Sequence, residues 1–291
     1  MRVAPHNYRS LAISVALFLF SFPVIAQVGD RLPATMGVVE VEGAGGGGLT
    51  PWATIAGAGS RDQVGAAVFS TYLKTSGDYS LDAHGIAVGI RDTVEVSLSQ
   101  MRFGLADTVP GQSIRVQIVG VKLRLLGDAV YDQDRWWPQI SAGLQQKHNL
   151  DPAVPLALGA RRTTDNDWYV AATKVWLGAA GGRNVLADLT LRSTDANQFG
   201  ILGFGGQKSD HHRVEPEASI AILPRDDLAG GVEWRSRPDQ LSGLREQSAA
   251  DVFIAWFPQR WLSITAAYLD LGNIAVKPDQ RAWYLSAVVQ F

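Results

Sequence analysis

The chain has 291 residues, 46% of them hydrophobic and 19% charged, with 30 Gly, 9 Trp and no Cys. A formal net charge of -2 offers no basic surface to nucleic acid, and the lack of Cys excludes a disulfide framework and thiolate metal ligands. The length allows one large β domain or two ordinary ones.

At the N-terminus, Arg2 and Arg9 precede an apolar run over residues 11–22, and Val24, Ile25 and Ala26 follow at a cleavage position. An uncleaved membrane anchor wants roughly 20 apolar residues, and this run is shorter. Residues 1–26 therefore read as a secretory signal peptide cut after Ala26. No later stretch is long and apolar enough for a spanning helix. A secreted chain of this kind is periplasmic, extracellular or an outer-membrane β-barrel.

Residues 27–62 form a Gly-rich segment. Val39 and Val41 alternate with Glu40 and Glu42, then Gly45, Gly46, Gly47 and Gly48 precede Leu49, Thr50, Pro51 and Trp52. Four glycines in a row mark a turn or a close backbone approach. They are not a phosphate loop, because no Lys-Ser/Thr pair and no helical pattern follow. We expect the segment to fold into a lumen or cap its periplasmic mouth, with Gly45 to Gly48, Pro51 and Trp52 as the hinge.

From residue 63 the chain becomes a series of segments with a period of two, the mark of strands with one apolar face. Four begin at Val64, Ala83, Val94 and Ile114. The others cover residues 136–148, 168–178, 184–193, 213–223, 228–238, 249–257, 261–271 and 281–291. Along the fourth, Ile114, Val116 and Ile118 alternate with Arg115 and Gln117, after which Val121 and Leu123 alternate with Lys122 and Arg124. The exchange of faces around Gly120 predicts a β-bulge. Twelve segments make an even count, as single-chain bacterial barrels require. Pairing residues 49–59 with 38–42 as an extra hairpin would give fourteen.

Connections alternate between short turns, near residues 91–92, 180–183, 225–227 and 258–260, and longer loops. Barrels show this contrast between periplasmic turns and external loops, and two connections fit it poorly: residues 129–135 are long for a periplasmic turn, and residues 106–112 are only moderate for an external loop. Trp136, Trp137, Trp176, Trp256 and Trp261 fall near one set of strand ends, and Trp168 and Trp283 near the other, as in two interfacial girdles. The last segment places Trp283, Leu285, Ala287, Val289 and Phe291 on one face and Tyr284, Ser286, Val288 and Gln290 on the other. A terminal Phe resembles the signal that outer-membrane barrels present to their assembly machinery. That machinery and outer-membrane lipid are the expected partners, beside an unidentified small solute.

The face opposite the apolar one carries Glu95, Arg115, Gln117, Lys122, Arg124, Asp188, Arg192, Glu233, Arg235 and Arg237. A soluble core could not hold so many ionisable groups without great desolvation cost, whereas a hydrated lumen can. They line a pore that selects solutes, or they form a self-neutralising lattice that fills the barrel; both readings stand. Asp210, His211 and His212 suggest a metal or an acid–base pair. Neighbours on a strand point to opposite faces, however, and the group reads as a solvated loop. His84 and His148 are isolated. With no Gly-x-Ser-x-Gly and no His-Glu-x-x-His, no catalytic, cofactor or metal residue is expected.

The stretch from Gly45 through Leu49, Thr50, Pro51 and Trp52 to Gly57, followed by alternating strands and a terminal Phe, resembles an uncharacterised family of Gram-negative outer-membrane proteins, a domain of unknown function. The resemblance covers most of the mature chain. It implies a barrel and its location, and supplies no substrate and no catalytic residue.

The expected architecture is all-β: an antiparallel transmembrane β-barrel over residues 63–291 with a plug-like N-terminal segment. The expected function is a narrow or partly plugged channel or transporter for small solutes, with hydrophobic molecules a candidate class by analogy with other plugged barrels. An outer-membrane enzyme, or an adhesive or structural barrel, is the alternative, and a soluble secreted sandwich a third. A Ser, a His and an acid converging near the external interface would favour an enzyme.

Overall fold

The computed structural model describes residues 33–291, so the expected signal peptide, residues 1–26, lies outside the described residues. Two short strands, β1 (Val38–Val39) and β2 (Gly45–Gly46), pair with each other. Twelve more form the wall: β3 (Val64–Thr75), β4 (Ser80–Ile90), β5 (Val94–Gly104), β6 (Ser113–Leu126), β7 (Gln139–Asn149), β8 (Thr164–Ala180), β9 (Arg183–Thr194), β10 (Arg213–Arg225), β11 (Leu228–Arg235), β12 (Ala249–Gln259), β13 (Leu262–Asp270) and β14 (Arg281–Gln290). Each pairs antiparallel with its neighbours in sequence. The sheet closes where β14 meets β3, with Leu285 opposite Tyr72 and Val289 opposite Val68.

Closure follows from the side chains. On β3, Ala67, Phe69, Thr71 and Leu73 are buried while Val68 and Tyr72 are exposed, and the other strands repeat this period. The exposed positions are large and apolar, as Leu189 (54% exposed) and Leu191 (49%) show on β9. An apolar exterior around a sheet with no free edge is the solution that satisfies every backbone group in lipid. Tryptophan sits at its margins, with Trp176, Trp256 and Trp261 towards one rim and Trp168, Trp234 and Trp283 towards the other.

The chain enters and leaves the wall at one rim, where four turns are tight. In the β4–β5 turn, Arg91 and Asp92 both take positive φ (52° and 49°), the paired left-handed conformation that matches strand twist in a tight hairpin. A fifth connection at this rim, residues 127–138, is long. The opposite rim joins β3 to β4 through residues 76–79 alone and carries the other long connections, including residues 150–163 with the short helix α1 (Ala153–Ala157), residues 195–212 and residues 236–248.

The β1–β2 hairpin lies inside the barrel as a sheet of its own, so the wall count is twelve and not fourteen. Residues 49–59 contain no strand. The predicted bulge at Gly120 is absent: β6 keeps its register with β5 and β7 through Gly120, and its shift falls between Arg124 and Leu126. Consequently Ile114, Val116 and Ile118 face inward, while Arg115 and Gln117 face outward. The exchange read from the sequence is a change in lining along β5 and β6, where Met101, Phe103, Ile114, Val116 and Ile118 are buried towards the long-loop rim and Glu95 and Lys122 deeper down. Several segment ends also move, and β8 begins at Thr164 in place of residue 168. Trp136 and Trp137 belong to the turn before β7, and β11 stops at Arg235, short of Pro238.

Candidate functional site

The lumen is filled. Residues 34–59 are buried throughout and bond to inward side chains from many strands. Glu95 on β5 accepts the N–H groups of Gly45 (3.0 Å) and Ala56 (2.7 Å), and Lys122 on β6 donates to the carbonyls of Gly45 (2.8 Å) and Thr54 (2.7 Å). Across the barrel, Glu233 on β11 accepts the N–H groups of Gly48 (2.7 Å) and Leu49 (2.9 Å) and the Thr50 hydroxyl (2.8 Å). The Trp52 indole donates to Ser219 Oγ (3.0 Å), and the Pro51 carbonyl accepts from Thr190 (2.9 Å). Ala53 gives its N–H to Thr173 and its carbonyl to Gln139 and Ser141.

The glycines expected to act as a hinge are close-approach positions. Positive φ occurs at Gly43 (106°) and Gly57 (87°), flanking the run, and not at Gly45 to Gly48. A Cβ at Gly47 would lie inside the Glu233 carboxylate, and one at Gly45 would press on Ala56 N and Glu95. Backbone N–H groups reach the wall carboxylates because no side chain intervenes.

Next to the plug lies a buried ionic cluster. Glu40 and Glu42, from the plug, meet Lys147, Arg192 and Arg235 from the wall, with Asp167 and Glu217 completing the set. Lys147 pairs with Glu42 and, at 2.7 Å, with Asp167. Arg235 reaches Glu42 at 2.8 Å and Glu217 at 3.2 Å, and Arg192 bonds Glu217. Gln145 bridges Arg192 to Glu40. Three cations oppose four carboxylates, and Glu40 Oε2, Glu42 Oε2 and Asp167 Oδ2 meet theirs as ion pairs without a hydrogen bond; burial this complete is tolerated only where opposite charges lie this close.

From the long-loop rim, residues 195–206 fold back into the barrel as a cap. Gln198 (φ 46°) and Phe199 (φ 63°) adopt left-handed backbone, costly for bulky residues and held by their surroundings. Asn149 Nδ2 donates to the carbonyls of Gly200 and Ile201, and the Arg235 guanidinium lies 4.5 Å from the Phe199 ring centroid. Between plug and cap remains an apolar cavity of about 40 Å³. Val41 and Leu49 floor it, Phe199 and Ile201 roof it, and Leu81 and Met101 are among its walls. It has room for water and none for an organic solute while the cap is seated.

Of the ten residues expected to line a pore, eight point into the barrel. Glu95, Lys122 and Glu233 hold the plug, and Asp188 bonds Thr173 and Thr190. Arg192 and Arg235 join the ionic cluster. Arg124 pairs with Asp92 and Asp128 at the chain-end rim, and Arg237 donates to the carbonyls of Gln247 and Leu271 beneath the cap. Arg115 and Gln117 lie on the outer face, where Arg115 makes a bidentate pair with Asp151 at 2.9 Å.

Sequence reading missed Glu40, Glu42, Lys147, Asp167 and Glu217. The alternation of Val39, Glu40, Val41 and Glu42 was the available signal for the first two. It also missed that Arg162 gathers Asp165, Asp195 and Asp210 at the long-loop rim, with His212 beside them.

A family described as "Protein of unknown function (DUF3034)" matches residues 35–288. The chain belongs to this family. The DUF3034 match spans both the plug and the wall. No curated protein matches the chain. Among solved structures, this DUF3034 chain is similar to the Acinetobacter baumannii outer membrane protein Omp33, with 7% identity, TM-score 0.48, and coverage of 80% of this chain and 100% of that one. It is also similar to the NanC porin, with 9% identity, TM-score 0.49 and coverage of 76% and 98%. The outer membrane phospholipase A of Escherichia coli shows 7% identity, TM-score 0.42 and coverage of 77% and 92%. At these values, function must be read from the chain's own residues.

Proposed function

We infer that the protein is a gated outer-membrane passage for small apolar solutes, in its closed state. The supporting observation is the apolar cavity between plug and cap, set within a lumen otherwise filled by ion pairs and by hydrogen bonds to the plug. A barrel that served only as a scaffold could fill this region with side chains from its wall. Here two separate pieces of chain close it, one from each rim. The chain-end rim then faces the periplasm and the capped rim faces outward, in keeping with short and long connections. A solute enters when residues 195–206 lift, rests against Leu81, Met101 and Phe103, and leaves when the plug shifts.

The test is single-channel conductance in a planar bilayer, with and without residues 27–62. Silence from the intact protein and steps after deletion are expected. Steps of equal size in both would remove the plug from the gating role, and silence from both, in folded protein, would leave a filled barrel without transport. Should the deletion fail to fold, Gly47→Val in the full chain serves in its place.

A further inference from the structure

On the outer side of the long-loop rim, one imidazole joins a serine to a carboxylate. His212 Nδ1 lies 3.3 Å from Ser193 Oγ, and His212 Nε2 lies 3.2 Å from Asp165 Oδ1. Hydroxyl, imidazole and carboxylate in this order make a nucleophile, its base and the group that orients the base. The lumen uses none of the three.

Separate elements fix each member. Ser193 is next to last on β9, where the period that buries Arg192 and Thr194 turns its hydroxyl outward. His212 lies two residues before Val214, the register partner of Ser193 on β10. Asp165, at the start of β8, is held independently of the histidine: Oδ1 accepts the Asn166 N–H (2.7 Å) and Oδ2 accepts Arg162 Nε (2.7 Å). Asp195, its side chain fully buried, sets Oδ1 3.6 Å from the same His212 nitrogen. Two carboxylates around Nε2 keep the proton there, which leaves Nδ1 free to accept from the serine.

The surroundings name a substrate class. Ser193 lies opposite Trp168 on β8 and Val214 on β10, 58% and 67% exposed on the outer wall. Tryptophan marks the boundary between headgroups and acyl chains, the depth at which lipid ester carbonyls lie. Below Ser193 an apolar groove runs over Leu123, Leu144, Val170 and Leu191. We propose that Ser193, His212 and Asp165 form a hydrolase site on the outer wall that cleaves carboxylic esters of long-chain acyl lipids.

In the first step Ser193 Oγ bonds to the ester carbonyl carbon as His212 Nδ1 takes its proton. The acyl C–O bond then breaks, and the imidazolium returns that proton to the departing alkoxide. Water repeats the cycle: its oxygen ends in the carboxylic acid, and one of its protons passes through His212 back to Ser193. Ser193 and His212 are the catalytic residues, and Asp165 is a positioning residue.

The experiment treats detergent-folded full-length protein with a long-chain fluorophosphonate and maps the adduct by mass spectrometry. Hydrolysis of p-nitrophenyl palmitate and p-nitrophenyl acetate in mixed micelles is followed in parallel. An adduct on Ser193 is expected, with palmitate preferred over acetate. His212→Asn lowers the rate by about 100-fold or more, and Asp165→Asn changes the shape of the pH–rate profile. Fatty acid release from phosphatidylethanolamine vesicles would identify membrane phospholipid as the ester source, and turnover confined to micelles would identify free acyl esters; both uphold the site. Folded protein without a Ser193 adduct overturns it, as does undiminished palmitate hydrolysis by Ser193→Ala. Labelling that depends on an added divalent cation would assign Asp165, Asp195 and His212 to that cation and overturn the base role.

Discussion

Lys122 on β6 sits 3.1 Å from Glu95 on β5, and between them the two residues hold the Gly-rich segment at Gly45, Thr54 and Ala56. Removing one partner leaves a buried charge unopposed, at a cost of about 3–5 kcal/mol. Lys122→Met is therefore expected to lower the urea midpoint of the detergent-folded barrel strongly. Glu95→Gln combined with Lys122→Met should cost less than Lys122→Met alone, since no charge is then stranded. Additive losses in this cycle would show that the two residues act apart.

Gly47 has no space for a side chain beside Glu233, whereas a Cβ at Gly48 would meet Glu233 and Tyr284 at 3.3 Å, where small adjustments suffice. Gly47→Val should unseat the plug and expose residues 36–59 to protease from the chain-end mouth. Gly48→Ala should leave them protected. Equal protection in both variants would contradict the close approach.

Position along the outer face of the wall decides the response to charge, since Leu189 lies midway along its strand and Arg115 near the long-loop rim. Leu189→Arg, midway along the outer face of β9, should destabilise by about 2–4 kcal/mol. Arg115→Ala breaks an exposed ion pair and should cost about 1 kcal/mol or less. Guanidine or urea titrations in one detergent would rank them, and a large loss from Arg115→Ala would place that residue inside after all.

Beyond the strand ends, burial pushes the Glu246 carboxyl up to about 7, against the pull of Arg237 and with Asp239 adding to the rise; Lys208 also faces it. Burial, with the Asp165 charge, takes Asp195 up to about 6. The folded cap holds these protons more tightly than the unfolded chain does. The resulting stabilisation is complete below about pH 4, the ordinary carboxylate range, and declines as pH rises through 6 and 7. Amide exchange over residues 195–212 and 236–248, corrected for intrinsic rates, should show fewer openings at pH 5 than at pH 8. Glu246→Gln should flatten the dependence over residues 236–248, and a pH-independent parent would sink the idea.

The wall was legible where its exterior alternation is apolar: Leu189 and Leu191, or Val68 and Tyr72, mark strand and face without knowledge of their neighbours. The plug was legible as a place and not as a mechanism, since the glycine run signals close approach without naming Glu95 and Glu233, which lie 50 and 185 residues downstream of their glycine partners. Gly120 misled because the inward face of β6 changes from apolar at Ile118 to charged at Lys122, a contrast that local sequence cannot separate from a slip in register. The Ser193, His212 and Asp165 relay was hidden for a related reason. Its members stand on three strands or strand ends, and only the β8–β9–β10 register brings them together.

The carbonyl of Phe291 accepts two N–H groups, from Ala58 in the plug (3.1 Å) and from Ala66 on the first wall strand (3.0 Å). One atom thus ties the seam of the cylinder to its contents. Seam and plug are therefore fastened at a single point, and whatever parts the first wall strand from the last also loosens the segment inside at Ala58.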